Sequence, residues 1–228
     1  MRSCIIFLTL LLFFPTLLLG KESVYCVHGF LRKCSSMKGI GKAFQRRGYH
    51  AYLWDYPSRK KSIEEHAVDL AVELKERARQ NPNEPIHFVT HSLGGIILRA
   101  ALNHPDCPEE AKKGRAVLLS PPNQGSCYGR FLNHFRPIRK LVGKKAGMQL
   151  LNSQNFEHLG QFPISMDILV ISGTCSWNPF IKGINDGTVR VIEGCLTTPH
   201  KHITIFSGHC WMMFSDPVIT NSLEFISS

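Results

Sequence analysis

Several patterns that would place this chain in a common functional class are missing from it. No Cys-x-x-Cys pair occurs, which argues against zinc-ribbon and thioredoxin-like proteins. No internal repeat or low-complexity tract follows the N-terminal segment, so solenoid and fibrous architectures are not expected. Acidic residues are scarce: 17 stand against 27 Lys and Arg, for a net charge of +10. That balance favours an anionic membrane surface as a partner, and a generally basic proteome is the alternative explanation for it. The short, scattered basic clusters lack any nucleic-acid-binding motif, so nucleic acid is not an expected partner.

Long apolar runs are also missing, except at the N-terminus. A basic start at Met1 and Arg2 precedes residues 5–19, which are almost wholly apolar. This pattern is typical of a secretory signal, and the run is shorter than the roughly 18–20 residues of a comfortable membrane span. We therefore expect residues 1–20 to be a signal peptide, with an uncleaved N-terminal anchor as the alternative. The predicted location is exported, either periplasmic or secreted. Residues 21–228 have the length of a single domain.

The cysteines allow disulfides, but their spacing does not determine which of them pair. Of the eight cysteines, Cys4 lies in the predicted signal, so an odd number remains and at least one is unpaired within the chain. Cys175 and Cys195 are the predicted pair because both fall in the same late loop region. Cys195 with His200 and His202 also offers metal-ligand types, but one histidine pair with a single distant cysteine is too little to predict a site. The sequence therefore predicts no metal and no other cofactor.

Apolar runs and helical patterns alternate along the chain. The predicted strands lie at residues 24–27, 49–54, 86–89, 115–120, 166–172 and 202–207, and the predicted helices at 35–47, 63–74, 96–102 and 218–226. Short, continuously apolar strands between helices are typical of a parallel sheet covered on both faces. Residues 127–162 have poor periodicity, with apolar residues among basic ones. Either a lid over an apolar pocket or an ordinary helical excursion fits this segment.

The residues that organise the chain run from 85 to 101. An apolar strand there turns through Thr-His-Ser-Leu-Gly-Gly into a helix. Such a turn would hold Ser92 at the edge of the sheet and point the N–H of Leu93 at a developing oxyanion, as a serine nucleophile requires. The usual pattern is Gly-x-Ser-x-Gly, and here Thr90 replaces the first glycine, so a strained or wider turn is expected. An ordinary strand-to-helix turn is the alternative.

A nucleophilic serine needs a base and an acid further along the chain. Histidine is the usual base because its pKa lies near the working pH. His209 directly follows the last predicted strand, and Asp186 lies in the loop before that strand. Asn-Asp-Gly is also a strong turn former, but the position of Asp186 between Ser92 and His209 makes it the preferred acid. The poorer alternatives are Asp167, Glu193 and Asp216. His91, although adjacent to Ser92, is expected to point away from it.

Together these segments resemble the α/β-hydrolase superfamily, and within it the compact lipases and esterases of bacteria. The residues that carry the resemblance are His28-Gly29-Phe30, Val89 to Gly95, Ser120 to Ser126, Asn185-Asp186-Gly187 and Gly208-His209. The resemblance implies an α/β-hydrolase fold, mostly parallel and shortened at its N-terminal edge. It also implies a Ser92, Asp186, His209 triad and an oxyanion hole formed by the N–H groups of Phe30 and Leu93.

The function that follows from this resemblance is hydrolysis of carboxylic esters, of lipid or other apolar acyl groups, through an acyl-enzyme on Ser92. Two alternatives stay open. One is a binding protein on an inactive hydrolase scaffold, since fold does not guarantee chemistry. The other is a thioesterase, amidase or acyltransferase that uses the same three side chains.

Overall fold

The computed structural model describes residues 22–228, so the predicted signal peptide or anchor at residues 1–20 lies outside the described residues. Six parallel strands form one sheet in the order β2-β1-β3-β4-β5-β6. They are β1 (Ser23–Val27), β2 (His50–Trp54), β3 (Ile86–His91), β4 (Ala116–Leu119), β5 (Ile168–Gly173) and β6 (Lys201–Ile205). All six predicted strands are therefore present, with ends shifted by a few residues.

Helices connect the strands and cover both faces of the sheet. They are α1 (Lys38–Arg46), α2 (Ile63–Gln80), α3 (Leu93–Leu102), α4 (Glu109–Lys112), α5 (Cys127–Leu132), α6 (Arg136–Val142), α7 (Ala146–Asn152) and α8 (Asp216–Ser227). The helix α2 begins at a capping box in which Ser62 and Glu65 satisfy each other's backbone N–H groups. Short 3-10 turns precede α1 and α8 and follow α7.

Two apolar cores lie on opposite faces of the sheet. One packs α2 and α3 on one face, with Leu70, Ile97 and Phe88 among its fully buried members. The other lies beneath α1 and α8 and includes Phe44 and Val218. The central strands β1, β3, β4 and β5 are buried along their whole length, as expected for parallel strands covered on both faces. No helix among residues 22–228 is both long enough and apolar enough to cross a membrane.

The carboxyl ends of parallel strands meet at one edge of the sheet. Ser92 follows β3, and His209 follows β6. The loop that contains Asp186 lies between β5 and β6 and returns to the same edge. The topology thus brings together side chains that are far apart in sequence.

Candidate active site

The turn from β3 into α3 places Ser92 in a strained backbone conformation. Its φ is +50° and its ψ is −117°, a region that non-glycine residues seldom adopt. The turn is tight: a Cβ atom at Gly94 would lie 2.6 Å from the carbonyl oxygen of Val27. The structure accommodates Thr90 at the position of the usual first glycine, fully buried in β3. The backbone strain of this turn is at Ser92, whereas Thr90 has no positive φ.

Ser92, His209 and Asp186 form a continuous hydrogen-bonded chain. The Oγ atom of Ser92 lies 3.1 Å from Nε2 of His209, and Nδ1 of His209 lies 2.7 Å from Oδ2 of Asp186. The acid at the end of this chain is buried, with 3 % of Asp186 exposed to solvent. In this arrangement the imidazole can take the serine proton while the carboxylate holds its other nitrogen protonated.

The loop around Asp186 fixes the carboxylate from several sides. Its Oδ1 atom accepts hydrogen bonds from the N–H groups of Thr188, at 3.0 Å, and Val189, at 2.8 Å. The backbone N–H of His209 donates to the carbonyl of Asp186 at 2.8 Å. Burial by itself raises the pKa of the Asp186 carboxyl, but the facing His209 and these hydrogen bonds bring that pKa below the usual value for aspartate. The carboxylate is therefore ionised at neutral pH.

Two backbone N–H groups beside Ser92 are free to bind an oxyanion. Among the described residues, no acceptor pairs with the N–H of Phe30 or with that of Leu93. Leu93 is the first residue of α3, so its N–H has no intrahelical partner. The turn that carries Phe30 is held in place by Tyr56, whose hydroxyl donates to the carbonyl of His28 at 2.7 Å. His28 itself stacks on Tyr56, with ring centroids 4.2 Å apart.

Ser92 and His209 open into an apolar cavity of about 330 Å³. Three short helices contribute six aliphatic side chains to its wall, namely Leu132, Ile138, Leu141, Val142, Leu150 and Leu151. These helices, α5 to α7, make up residues 127–152, which we call the cap. The predicted lid segment, residues 127–162, thus contains helices that line the cavity above Ser92.

Three comparisons with known proteins bear on this site. The family model described as serine aminopeptidase S33 (Hydrolase_4) matches residues 20–159, more than half of the chain. The chain belongs to this family of the α/β-hydrolase superfamily. The predicted fold class and resemblance are confirmed. Comparison with curated protein sequences gives no match.

Solved structures share the α/β-hydrolase fold at low sequence identity. A lipase from Bacillus licheniformis, BlEst2 in its mature form, is 20% identical with a TM-score of 0.71, over 89% of this chain and 92% of the lipase chain. The lin2722 gene product of Listeria innocua is 14% identical with a TM-score of 0.66, over 91% of this chain and 94% of that one. The phospholipase PlaB of Legionella pneumophila is 13% identical with a TM-score of 0.68, and the match covers 92% of this chain and 60% of PlaB.

One side chain of this hydrolase lies elsewhere than the sequence predicts. His91 does not point away from the site but lines the cavity, with its ring centroid 4.8 Å from that of His209. Its Nε2–H donates to the carbonyl of His209 at 3.0 Å. Burial keeps the pKa of His91 well below its usual value, so the ring is neutral. A Cβ atom at Gly29 would lie 2.6 Å from Nδ1 of His91, so the close packing of these two residues requires glycine.

The other candidate acids serve different parts of the hydrolase. Glu193 is buried and accepts a hydrogen bond from the N–H of Cys127 at 2.6 Å, so it holds the base of the cap. Oδ2 of Asp167 lies 3.5 Å from Nε of Arg115, and Asp216 is the first residue of α8. Neither residue lines the cavity.

The predicted disulfide is absent. All seven cysteines of the described residues, Cys175 and Cys195 included, are free thiols. Cys195 instead faces a histidine, His202, with its sulfur 3.6 Å from Nδ1. The prediction failed because proximity along a loop does not specify which way two side chains point.

Proposed function

We propose that this protein is a serine hydrolase that cleaves carboxylic esters with apolar acyl groups, through an acyl-enzyme on Ser92. The observation that carries the proposal is the 3.1 Å contact between Ser92 and His209 at the mouth of an aliphatic cavity. Lipase and phospholipase appear among the names of proteins that share the fold, which supports the same substrate class.

The proposed reaction has two halves. The Ser92 hydroxyl attacks the acyl carbon as Nε2 of His209 removes its proton, and Asp186 stabilises the resulting imidazolium. The N–H groups of Phe30 and Leu93 bind the oxygen that becomes negative. His209 then gives the proton to the leaving alcohol, which departs and leaves the acyl group on Ser92. In the second half, water attacks the acyl group with His209 again as the base; the bond to Ser92 then breaks, His209 returns the proton to Oγ of Ser92, and the carboxylic acid leaves.

The cavity lining favours esters over peptides with a free amino terminus. An aminopeptidase must hold a substrate ammonium group, and a buried positive charge needs a carboxylate partner. None of the residues that line the described cavity is acidic, and Arg32 is the basic residue among them. We therefore expect p-nitrophenyl esters to be cleaved and amino-acid p-nitroanilides to be left intact. Preference for the anilides would assign the protein to the aminopeptidase activity named in the family description instead.

The acyl-chain preference of the enzyme should follow the aliphatic wall. Burying one more methylene contributes about 0.8 kcal/mol, so kcat/KM should rise by up to about fourfold per added methylene until the cavity is filled. Leu132→Trp puts a larger ring into that space. We expect the ratio of kcat/KM for p-nitrophenyl decanoate to that for the butyrate to fall by about tenfold or more.

The control for that substitution adds the same side chain elsewhere. Val72→Trp places the ring on the exposed face of α2, where 57% of Val72 is solvent-accessible. It should leave the decanoate-to-butyrate ratio unchanged. An equal change of the ratio in both variants would mean that the cap helices do not bind the acyl chain.

The outer surface of the cap combines positive charge with exposed aromatic rings. Residues 111–156 contain no Asp or Glu, and Arg136, Lys140 and Lys144 are exposed. Next to them, the ring of Phe131 lies 5.3 Å from that of Phe135 and 5.1 Å from that of Phe180, between centroids. Basic side chains attract anionic headgroups, and aromatic rings favour the boundary between headgroups and acyl chains. We propose that the cap docks on an anionic membrane surface.

Charge reversal on the cap tests this docking. Each basic residue near an anionic membrane contributes about 1 kcal/mol, so Arg136→Glu with Lys140→Glu should weaken binding to phosphatidylglycerol vesicles by about thirtyfold or more. Lys42→Glu with Arg46→Glu on α1 makes the same change of net charge outside the cap and should reduce binding much less. Cosedimentation with the vesicles measures both. Equal losses in the two double variants would show that net charge, not the cap, drives binding.

Two further parts of the proposal concern the whole chain. We infer that residues 1–20 act as a signal peptide or N-terminal anchor that directs export of the hydrolase. Residues 21–228 would then form one α/β-hydrolase domain, in which residues 127–162 serve as the lid over the cavity. The aliphatic wall that this segment contributes supports that role.

A further inference from the structure

Three metal-ligand side chains converge at the outer strand of the sheet. Cys195, His200 and His202 each offer a ligand atom, and these atoms lie within 4.8 Å of one another. His202 belongs to the first half of β6, whereas His209 follows the other end of that strand. The cluster is half-buried and shares no residue with the cavity above Ser92. It is thus a second group of chemically reactive side chains, separate from the proposed active site.

The two atoms of the closest pair already have the separation that a shared metal requires. The Sγ atom of Cys195 lies 3.6 Å from Nδ1 of His202. Zinc bonds of ~2.3 Å to sulfur and ~2.0 Å to nitrogen, at a tetrahedral angle, place the two ligand atoms ~3.5 Å apart. One cation could therefore bind both atoms without a rearrangement of this pair.

Neighbouring groups orient both imidazoles of the cluster. Nε2 of His202 lies 2.8 Å from the hydroxyl oxygen of Ser172 on β5, which leaves Nδ1 to face the cysteine. His200 donates Nδ1–H to the carbonyl of Thr198 at 2.9 Å, so its lone pair is on Nε2. A hydrogen bond to the second ring nitrogen is what fixes the tautomer of metal-bound histidine.

The loop that carries Cys195 is tied to the rest of the molecule. The side chain of Gln124 donates to the carbonyl of Cys195 at 3.2 Å, and that of Asn123 donates to the carbonyl of Gly194 at 2.8 Å. Further along, the hydroxyl of Thr198 donates to the carbonyl of Phe162 at 3.3 Å. The cluster is therefore held between β6 and the segment that leads into the cap. A ligand bound there would fasten these two parts together.

We propose that Cys195, His200 and His202 bind one zinc ion, with solvent as the fourth ligand. One thiolate and two imidazoles form a donor set of borderline-soft character, which suits zinc better than calcium or magnesium. Binding releases the thiol proton of Cys195 to solvent, and the two histidines contribute their lone pairs. The ion would stabilise the loop 195–200 against the edge of the sheet. Because it binds the folded chain, it would also raise the melting temperature, by an amount that grows with the logarithm of the zinc concentration once that concentration exceeds the Kd.

The test compares metal binding by the purified full chain and its variants. Zinc is titrated in competition with a chromophoric chelator, and Co²⁺ is added separately to record thiolate-to-cobalt charge-transfer absorption. The cluster variants are Cys195→Ser, His200→Ala and His202→Ala. The matched controls, Cys34→Ser and His158→Ala, remove the same side-chain types outside the cluster. Circular dichroism checks that each variant is folded, and Cys195→Ser decides the question if a histidine variant is not.

We expect one zinc per wild-type chain, and we expect affinity to fall at least about 100-fold in the cluster variants. Both controls should bind as the wild type does. The cobalt absorption should be present in Cys34→Ser and absent from Cys195→Ser, and zinc should raise the melting temperature of the wild type but not of Cys195→Ser. Failure of the wild type to bind zinc, or equal affinity in Cys195→Ser, would overturn the proposal. A third control, Cys210→Ser, removes the thiol that directly follows His209. Loss of zinc binding in that variant would also overturn the proposal, because it would place the metal beside His209.

Discussion

Alanine at position 92 should lower kcat/KM on p-nitrophenyl butyrate by about 10⁴-fold or more. The reason is that the hydroxyl of Ser92 is the one within hydrogen-bonding distance of Nε2 of His209. Without it no acyl-enzyme forms, and only weak catalysis by the oxyanion site remains. Spontaneous hydrolysis of the ester is subtracted as the background, and the melting temperature of the variant checks its fold.

The control replaces a serine that has no contact with the cavity. Ser153 lies directly after α7 and is not among the residues that line the cavity, so Ser153→Ala should keep the wild-type rate. If Ser92→Ala retained kcat/KM within tenfold of the wild type, the proposed acyl-enzyme would be wrong. The chain would then be a hydrolase-fold protein whose activity lies elsewhere or is absent.

Replacement of Asp186 by asparagine should lower kcat by about 10³- to 10⁴-fold while it leaves the fold in place. The carboxylate accepts the Nδ1 proton of His209 at 2.7 Å. An amide can present its N–H₂ group to Nδ1 instead, which would favour the tautomer with the proton on Nε2. That tautomer cannot remove the proton from Ser92. Because Asp186 also accepts two backbone N–H bonds that an amide oxygen can keep, the loop should survive the substitution.

Two further variants serve as controls for Asp186→Asn. Asp216→Asn makes the same chemical change at the start of α8 and should leave kcat unchanged. The double variant Ser92→Ala with Asp186→Asn should be no slower than Ser92→Ala alone, since the groups act as a unit. Multiplicative losses in the double variant, or full activity of Asp186→Asn, would show that the acid does not act through His209.

The strands and the turn from β3 into α3 could be predicted because their signals are local. The apolar run before Ser92 and the small residues after it are adjacent in the chain, and they specify a strand, a tight turn and a helix without reference to distant contacts. The positions of Asp186 and His209 follow from strand order, because the ends of parallel strands share an edge. Their distances could not be predicted, since these depend on how two loops fold back.

The prediction for His91 was wrong for a specific reason. Alternation of side chains between the two faces holds within a strand, and β3 ends at His91. Ser92 has already left the strand, with φ at +50°, so both side chains reach the same cavity. The individual helices of the cap could not be assigned for another reason: they have 6, 7 and 7 residues, about two turns each. Helices of that length show too little periodicity to be recognised.

The cluster of Cys195, His200 and His202 is a third feature that could not be predicted from the sequence. Its spacing matches no familiar zinc motif, so the sequence argues against a site. The ligand atoms meet for two reasons. Strand β6 pairs with β5, which brings Ser172 against His202. The loop that follows the 3-10 turn Val191–Gly194 then leads back to β6. Contacts of this kind depend on tertiary structure alone.

Covalent labelling by a fluorophosphonate tests the central claim most directly. The reagent phosphonylates a serine only when a neighbouring base and an oxyanion site activate the hydroxyl. The wild-type protein should gain the mass of one phosphonyl group, located by peptide mapping on Ser92, whereas Ser92→Ala should gain none. A wild-type protein that stays unlabelled, or that carries the label on another residue, would contradict the account.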